Sequence, residues 1–288
     1  MENKNDGFII VAESGSDLPK DLAEKYGIVI LPMHVMFDQH NYDDGTFPIS
    51  QMIEYYHQTK HTPTTSATNV GEYIEAFHNI HKQYPHKIIL HLCYSAVTTA
   101  TYQNALIASK GLDYVCHIDT QFVSGGQSLI LIKTAKYIQT HPDADITSIK
   151  KYVHHLINKT HMFFLPQQLD FLKAGGRVSN VAYLGANILR IKPMIEIKDG
   201  KLVATQKYRG KNMKKICLRM INDLFDTYDY DIEDVILLYS YGLDEDILKE
   251  SQDIVSDLGF QNIYCMETGG VITSHSGPGV FGIAFCDE

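Results

Sequence analysis

The sequence predicts an α/β protein of two domains. Residues 1–160 form a largely parallel sheet with helices on both faces, and residues 161–288 an α+β domain with a mixed sheet. In the first half, β-branched apolar runs alternate with amphipathic stretches, the pattern of parallel strands joined by covering helices. That alternation changes near residue 160. Beyond it, IEIKDGKLVA (195–204) alternates on both sides of Asp199-Gly200, a strong short-range hairpin signal.

Residues 7–13, 28–37, 87–94 and 113–119 read as buried strands. Apolar spacing at i, i+3 and i+4 predicts helices over 49–59, 70–83, 97–110, 126–140 and 145–159. The polar, turn-rich DQHNYDDGTFP (38–48) reads as a small loop or hairpin insertion. MFFLPQ (162–167) begins the second unit as a strand, and a short helix at 169–174 is stopped by Gly175-Gly176. After the hairpin come a helix at 211–228, a strand at 234–240, a helix at 244–257 and strands at 262–266 and 280–286.

At 288 residues the chain is about twice a common single-domain length. Hydrophobic residues at 44% against 20% charged exclude a disordered chain. The net charge of −9, with no basic run, argues against nucleic-acid binding. No stretch reaches the roughly 18 apolar residues of a membrane span, and the first ten residues lack a signal-peptide pattern. The five scattered cysteines form no CxxC pair and fit buried free thiols. A cytoplasmic protein is expected.

Chemistry is suggested by two hydroxyl-rich segments. HTPTTSATN (61–69) precedes the helix at 70–83, and YSAVTTATYQ (94–103) lies where a strand turns into its helix. Helix N-termini offer unpaired N–H donors, and serine and threonine add neutral ones, so such junctions suit an anion. They equally suit plain helix capping. GGVITSHSGPG (269–279) reads as a glycine-rich loop carrying His275, and LDFLKAGGRVSN (169–180) sets Arg177 after two glycines. Neither GxxxxGK[ST] nor GxGxxG occurs, and Ser95 lies in CYSAV, outside a GxSxG elbow. The pairs His57/His61 and His78/His81 have helical spacing without a cysteine or HExxH companion, so no metal is expected.

In chain order these segments resemble the DegV family of bacterial fatty-acid-binding proteins. The resemblance runs from Glu13-Ser14-Gly15-Ser16-Asp17-Leu18 through Thr65-Ser66, Ser95 to Tyr102 and Leu169 to Arg177. It continues through Ile191-Lys192-Pro193 to His275-Ser276-Gly277-Pro278-Gly279. It implies an acyl chain between the two domains, its carboxylate held by Thr65, Ser66, Ser95 and His275, with Arg177, Arg209 and Thr98 nearby or facing a kinase. It further implies a non-catalytic subunit presenting a long-chain fatty acid to the ATP-binding catalytic subunit of a fatty acid kinase. The acyl phosphate made there feeds phospholipid synthesis. No cofactor is expected beyond the fatty acid, and a transient contact with a membrane surface is a further expectation.

The chain departs from the family pattern in places. Glu13 stands where aspartate is usual, Ala67-Thr68 where many relatives have Gln-Pro, and Ala96 and Ala100 where serine and glycine are common. Tyr239-Ser240-Tyr241-Gly242 stands where relatives often carry a histidine before the glycine. The rival reading is a serine-dependent acyl hydrolase or thioesterase using Ser95 and His275.

Overall fold

The computed structural model describes residues 7–178 and 191–288; the end of the 169–180 segment, Ser179-Asn180, lies outside them. β1 (Phe8–Glu13), β2 (Ile28–Leu31), β6 (Ile88–Cys93) and β7 (Val115–Asp119) form a four-stranded parallel sheet in the order β2-β1-β6-β7. These strands are nearly continuous apolar runs because helices cover both faces. The covering helices include α1 (Lys20–Tyr26), α3 (Val70–Gln83), α4 (Thr101–Ala108), α5 (Ser124–Thr140) and α6 (Ile146–Lys159).

The run at 28–37, expected as one strand, is two. Pro32 has no N–H to donate and breaks the ladder after Leu31. The chain then leaves the parallel sheet as β3 (His34–Phe37), which pairs antiparallel with β4 (His40–Asp43) and β5 (Thr64–Ser66). Asp38 and Gln39, at φ 50° and 60°, make the tight turn of the β3–β4 hairpin. α2 (Ile49–Thr59) links β4 to β5.

In the second half β8 (Thr160–Leu165), β9 (Ile191–Lys198), β10 (Lys201–Arg209), β11 (Asp234–Tyr239), β12 (Asn262–Glu267) and β13 (Phe281–Cys286) form a mixed sheet. Its order is β10-β9-β8-β13-β11-β12, parallel only between β11 and β12. Helices α7 (Asp170–Gly175), α8 (Met213–Phe225), α9 (Glu245–Asp257) and α10 (Gly270–Ser276) complete it. The last of these lies where a glycine-rich loop was expected.

Helix α5 positions the site. It packs against α6 and against β8, β11 and β13 of the mixed sheet, while Gln127 Nε2 donates to Leu92 O of the parallel sheet at 3.0 Å. A Cβ at Gly125 would lie 2.7 Å from Leu238 Cδ1, so the helix sits this close to β11 only with glycine there. Lys133 Nζ donates to Asp231 and Glu233 at 2.7 and 2.8 Å. Leu90, Leu131 and Leu238 belong to one continuous apolar cluster, so residues on both sides of 160 share a core.

Candidate functional site

A cavity of about 250 Å³ opens where β5, the β6–α4 turn, the N-terminus of α5, β8, α7 and α10 meet. Apolar walls come from Met33, Val123, Met162, Phe164, Leu172 and Leu238. Thr65, Ser66, Thr98, Ser124, Arg177 and His275 are among the polar residues that line it, with Thr99, Thr268 and Ser276. An apolar cleft with a few convergent polar groups is the usual form of a small-molecule site.

The serine and threonine hydroxyls of the two segments do not cap their helices. The N-cap of α3 is Asn69, whose side chain accepts the Glu72 amide at 3.1 Å while Glu72 returns to the Asn69 amide at 2.7 Å. Helix α4 begins at Ala100, which offers no side-chain cap. Thr65 and Ser66 lie on β5, opposite Val35 and His34 of β3, and face the cavity.

At the polar end Thr65 Oγ1 and His275 Nε2 are 2.7 Å apart. Burial, with the Arg177 guanidinium beside it, pushes the His275 imidazole down to about 4, so it is neutral at neutral pH. Its Nδ1 is buried and has no hydrogen-bond partner among the described residues. A Cβ at Gly175 would lie 2.4 Å from that nitrogen, so only glycine at the end of α7 lets α10 carry the ring this close. Arg177 follows, its Nη1 donating to Gly175 O at 2.8 Å. A neutral imidazole that donates from Nε2 to Thr65 leaves the Thr65 proton free for an acceptor in the cavity.

Helix α10 exists because residues far back in the chain cap it. Asp17 Oδ1 accepts the Gly269 amide at 2.7 Å, and Asp44 Oδ1 accepts those of Gly270 and Val271 at 2.7 and 3.3 Å. Burial raises both carboxyls above the usual range, Asp17 strongly so. Ser124, at φ 47° on the first turn of α5, donates to the other oxygen of Asp17. The same two acids therefore tie α5 and the β3–β4 unit to the helix bearing His275.

Ser95 stands apart from the expectation that it grips a carboxylate. Its side chain is fully buried, does not line the cavity, and gives its hydroxyl proton to Gly200 O in the β9–β10 turn at 2.7 Å. The Asp-Gly hairpin folds back over this junction and takes the donor. With Ser95 on Gly200 and His275 on Thr65, the nucleophile–base hydrogen bond of a serine hydrolase is not formed. Thr98 lines the cavity while donating to Ser95 O at 2.9 Å. Arg209, exposed at the end of β10, lies outside the cavity lining.

Sequence reasoning missed Ser124 and Tyr94, which also line the cavity. Ser124 sits in DTQFVSGG, a third strand-to-helix junction with hydroxyls, so the rule that selected the other two applies there as well. Tyr94 opens the hydroxyl-rich segment 94–103, and its phenol is pushed up by burial and by the Asp17 charge.

The arrangement is matched in known proteins along almost its full length. The curated relatives include a DegV domain-containing protein of Caldanaerobacter subterraneus subsp. tengcongensis, 27% identical over 279 residues, covering 96% of this chain and 97% of the relative. One from Clostridium perfringens is 28% identical over 286 residues, covering 98% and 99%. Among solved structures, one describing fatty acid binding of a DegV family protein from Thermus thermophilus superposes with a TM-score of 0.85 at 23% identity, covering 97% of this chain and 99% of that one. A DegV family protein from Eubacterium eligens, loaded with heptadecanoic acid, gives 0.84 at 20% identity and covers 98% and 100%. The family model described as "Uncharacterised protein, DegV family" matches residues 8–288, and the chain belongs to the DegV family.

Proposed function

We propose that the protein binds one long-chain fatty acid, with the acyl chain in the cavity and the carboxylate at Thr65, Ser66, Arg177 and His275. The carrying observation is the Thr65–His275 pair at the end of an apolar-walled cavity, with a free buried imidazole nitrogen beside it. The fatty acids described for the Thermus and Eubacterium relatives support the same ligand class. A 16-carbon chain has about 14 methylenes, and burial at ~0.8 kcal/mol each is on the order of 11 kcal/mol before ordering costs. The head group then has to fix position more than supply affinity.

In this reading the protein is a non-catalytic subunit. It presents the carboxylate to an ATP-dependent kinase subunit, which forms an acyl phosphate for phospholipid synthesis. A neutral donor at Thr65, its proton freed by the His275 Nε2–H, suits a head group that changes from carboxylate to acyl phosphate, because a rigid bidentate clamp favours one state. The ligand lies between an N-terminal domain (1–160) and a C-terminal one (161–288). Arg209, exposed on β10, is a contact for the kinase. Ser95 acts through the Gly200 turn, shaping the wall beside Val97 and Thr98. The work is cytoplasmic, with transient membrane contact for exchange of the fatty acid; no helix among the described residues is long and apolar enough to cross a membrane.

Native mass spectrometry of the purified protein, followed by addition of palmitate and an ATP-dependent fatty acid kinase subunit, tests both levels. Retained or added fatty acid at one per chain, with ATP-dependent acyl phosphate formation, is the expected result. A chain that stays ligand-free with palmitate present overturns the binding reading. Binding without acyl phosphate formation overturns the kinase role alone.

A further inference from the structure

The parallel sheet carries a second cluster of functional groups, away from the cavity. His91 on β6 and His117 on β7 are register partners in neighbouring strands, and their Nδ1 atoms are 2.9 Å apart. Cys93, two residues along β6 and so on the same face, puts Sγ 3.0 Å from His91 Nδ1 and 3.4 Å from Nε2. One ligand atom from each of the three lies within 4.8 Å of those of the other two. His91 and Cys93 are fully buried and His117 is half-buried, beneath the rings of Tyr73 and Phe77.

The far side of each imidazole is already held. His91 Nε2 donates to Glu13 Oε1 at 2.6 Å, and that oxygen also accepts the Tyr73 phenol at 2.5 Å. Glu13 is itself fully buried, and its Oε1 faces the His91 ring. His117 Nε2 is 2.8 Å from Ser109 Oγ, which has a second acceptor in Leu106 O at 3.4 Å. A carboxylate or hydroxyl behind each ligating imidazole, fixing its tautomer and aim, is the arrangement that surrounds protein metal sites. With the Glu13 contact made by an Nε2–H, the neutral His91 ring turns its Nδ1 lone pair toward the cluster.

We propose that His91 Nδ1, His117 Nδ1 and Cys93 Sγ form a Zn²⁺ site between β6 and β7. Two imidazoles and one thiolate are donors that zinc favours, and three protein ligands leave the fourth tetrahedral position to a water. Zn–N of about 2.0–2.1 Å and Zn–S of about 2.3 Å put tetrahedral donors roughly 3.3–3.6 Å apart. The His91–His117 pair at 2.9 Å and the His91–Cys93 pair at 3.0 Å therefore each spread by about half an ångström when the ion enters.

The charges balance. Zn²⁺ displaces the thiol proton of Cys93, which is released to solvent, and the thiolate and the Glu13 carboxylate together offset the two positive charges. The proton between the two Nδ1 atoms stays on His117 by moving to Nε2, from where it is donated to Ser109, and Ser109 turns to Leu106 O. The site therefore binds metal with release of one proton. The half-buried His117 edge is the way in. The ion would also stiffen the ligand cavity, because Glu13 Oε2 accepts the amide of Tyr94 at 2.9 Å and Tyr94 lines the cavity wall.

The pattern was hidden in the sequence because its members come from two strands 26 residues apart. Only the register of β6 against β7 brings them together.

The test is a Co²⁺ titration of the full, chelator-treated protein, followed by Zn²⁺. The expected result is one equivalent of Co²⁺ with a thiolate-to-cobalt charge-transfer band that Zn²⁺ abolishes. Cys93→Ser should lose the band, and Ser109→Ala, at a half-exposed position, should weaken Zn²⁺ binding roughly 10- to 100-fold while keeping the native circular dichroism. Absence of the band in the wild-type protein, or its persistence in Cys93→Ser, overturns the site. If Cys93→Ser does not fold, unchanged Zn²⁺ affinity in Ser109→Ala overturns it instead. Zn²⁺ uptake without a thiolate band assigns the ion to surface histidines and also overturns it.

Discussion

Thr65 and His275, 210 residues apart in sequence, meet at 2.7 Å between Oγ1 and Nε2. Neither residue belongs to a helix cap or a ladder bond through these atoms, so the contact serves the cavity they both line. Thr65→Val keeps the shape and β-propensity of the residue while removing the hydroxyl. A lost hydrogen bond to a charged group is worth about 1.5–3 kcal/mol, so fatty acid affinity should fall roughly 10- to 100-fold. Isothermal titration against palmitate checks it, with thermal unfolding confirming an intact fold. Unchanged affinity would place the carboxylate elsewhere.

Gly175 sets how near His275 can come. Gly175→Ala puts a methyl 2.4 Å from the position of His275 Nδ1, so the imidazole has to turn away from Thr65. The backbone itself has room in a helix for alanine, which has the higher propensity there. The variant should fold with wild-type thermal stability to within about 1 kcal/mol and bind fatty acid several-fold to roughly tenfold more weakly, since the Thr65 hydroxyl loses the imidazole hydrogen bond that orients it, worth about 0.5–1.5 kcal/mol. Full affinity would show that the imidazole is not needed.

His275 also makes a signed prediction about pH. Its folded-state value is lowered to about 4 against an ordinary 6.5, so between these values the unfolded chain binds more protons. Stability contributed by the neutral buried ring is complete above about 6.5 and is lost as pH falls toward 4. The same sign holds for His117, which burial and the neighbouring His91 push down to about 3. Asp17 and Asp44, with raised values, act in the opposite sense. The clean observable is therefore a difference: denaturant unfolding of wild type minus His275→Gln. On acidification from pH 7 to 4 the wild type should lose on the order of 2–3 kcal/mol more than the variant. Parallel curves would sink the assignment.

Most strands and helices were legible because the chain's apolar periodicity follows burial directly. The expected helices at 49–59 and 70–83 coincide with α2 and α3. What failed were places where a distant partner decides. Pro32 sits inside an apolar run that reads as one strand, and the small sheet that follows depends on β5 arriving about thirty residues later. Helix α10 looks like a glycine loop in sequence because its caps, Asp17 and Asp44, lie more than two hundred residues upstream. Thr65 and His275 were found through family resemblance, since nothing local joins them. The serine at 95 looked like Thr65 in sequence, and only the fold of the Asp199-Gly200 turn shows its hydroxyl already used.

That dependence of α10 on distant acids can be measured. Asp44 Oδ1 accepts two amides at the start of the helix, while its Oδ2 is buried without a partner among the described residues. Asp44→Asn keeps the accepting oxygen and removes a charge that burial disfavours, while its buried NH2 opposes that gain, so it should cost less than Asp44→Ala at pH 7. Asp44→Ala leaves the Gly270 and Val271 amides without that acceptor and should cost about 1–3 kcal/mol in unfolding free energy. It should also weaken fatty acid binding, because His275 loses the anchored helix that holds it against Thr65. The contrast between the two substitutions carries the inference. Equal effects would mean that the charge, and not the accepted amides, is what Asp44 contributes to the helix.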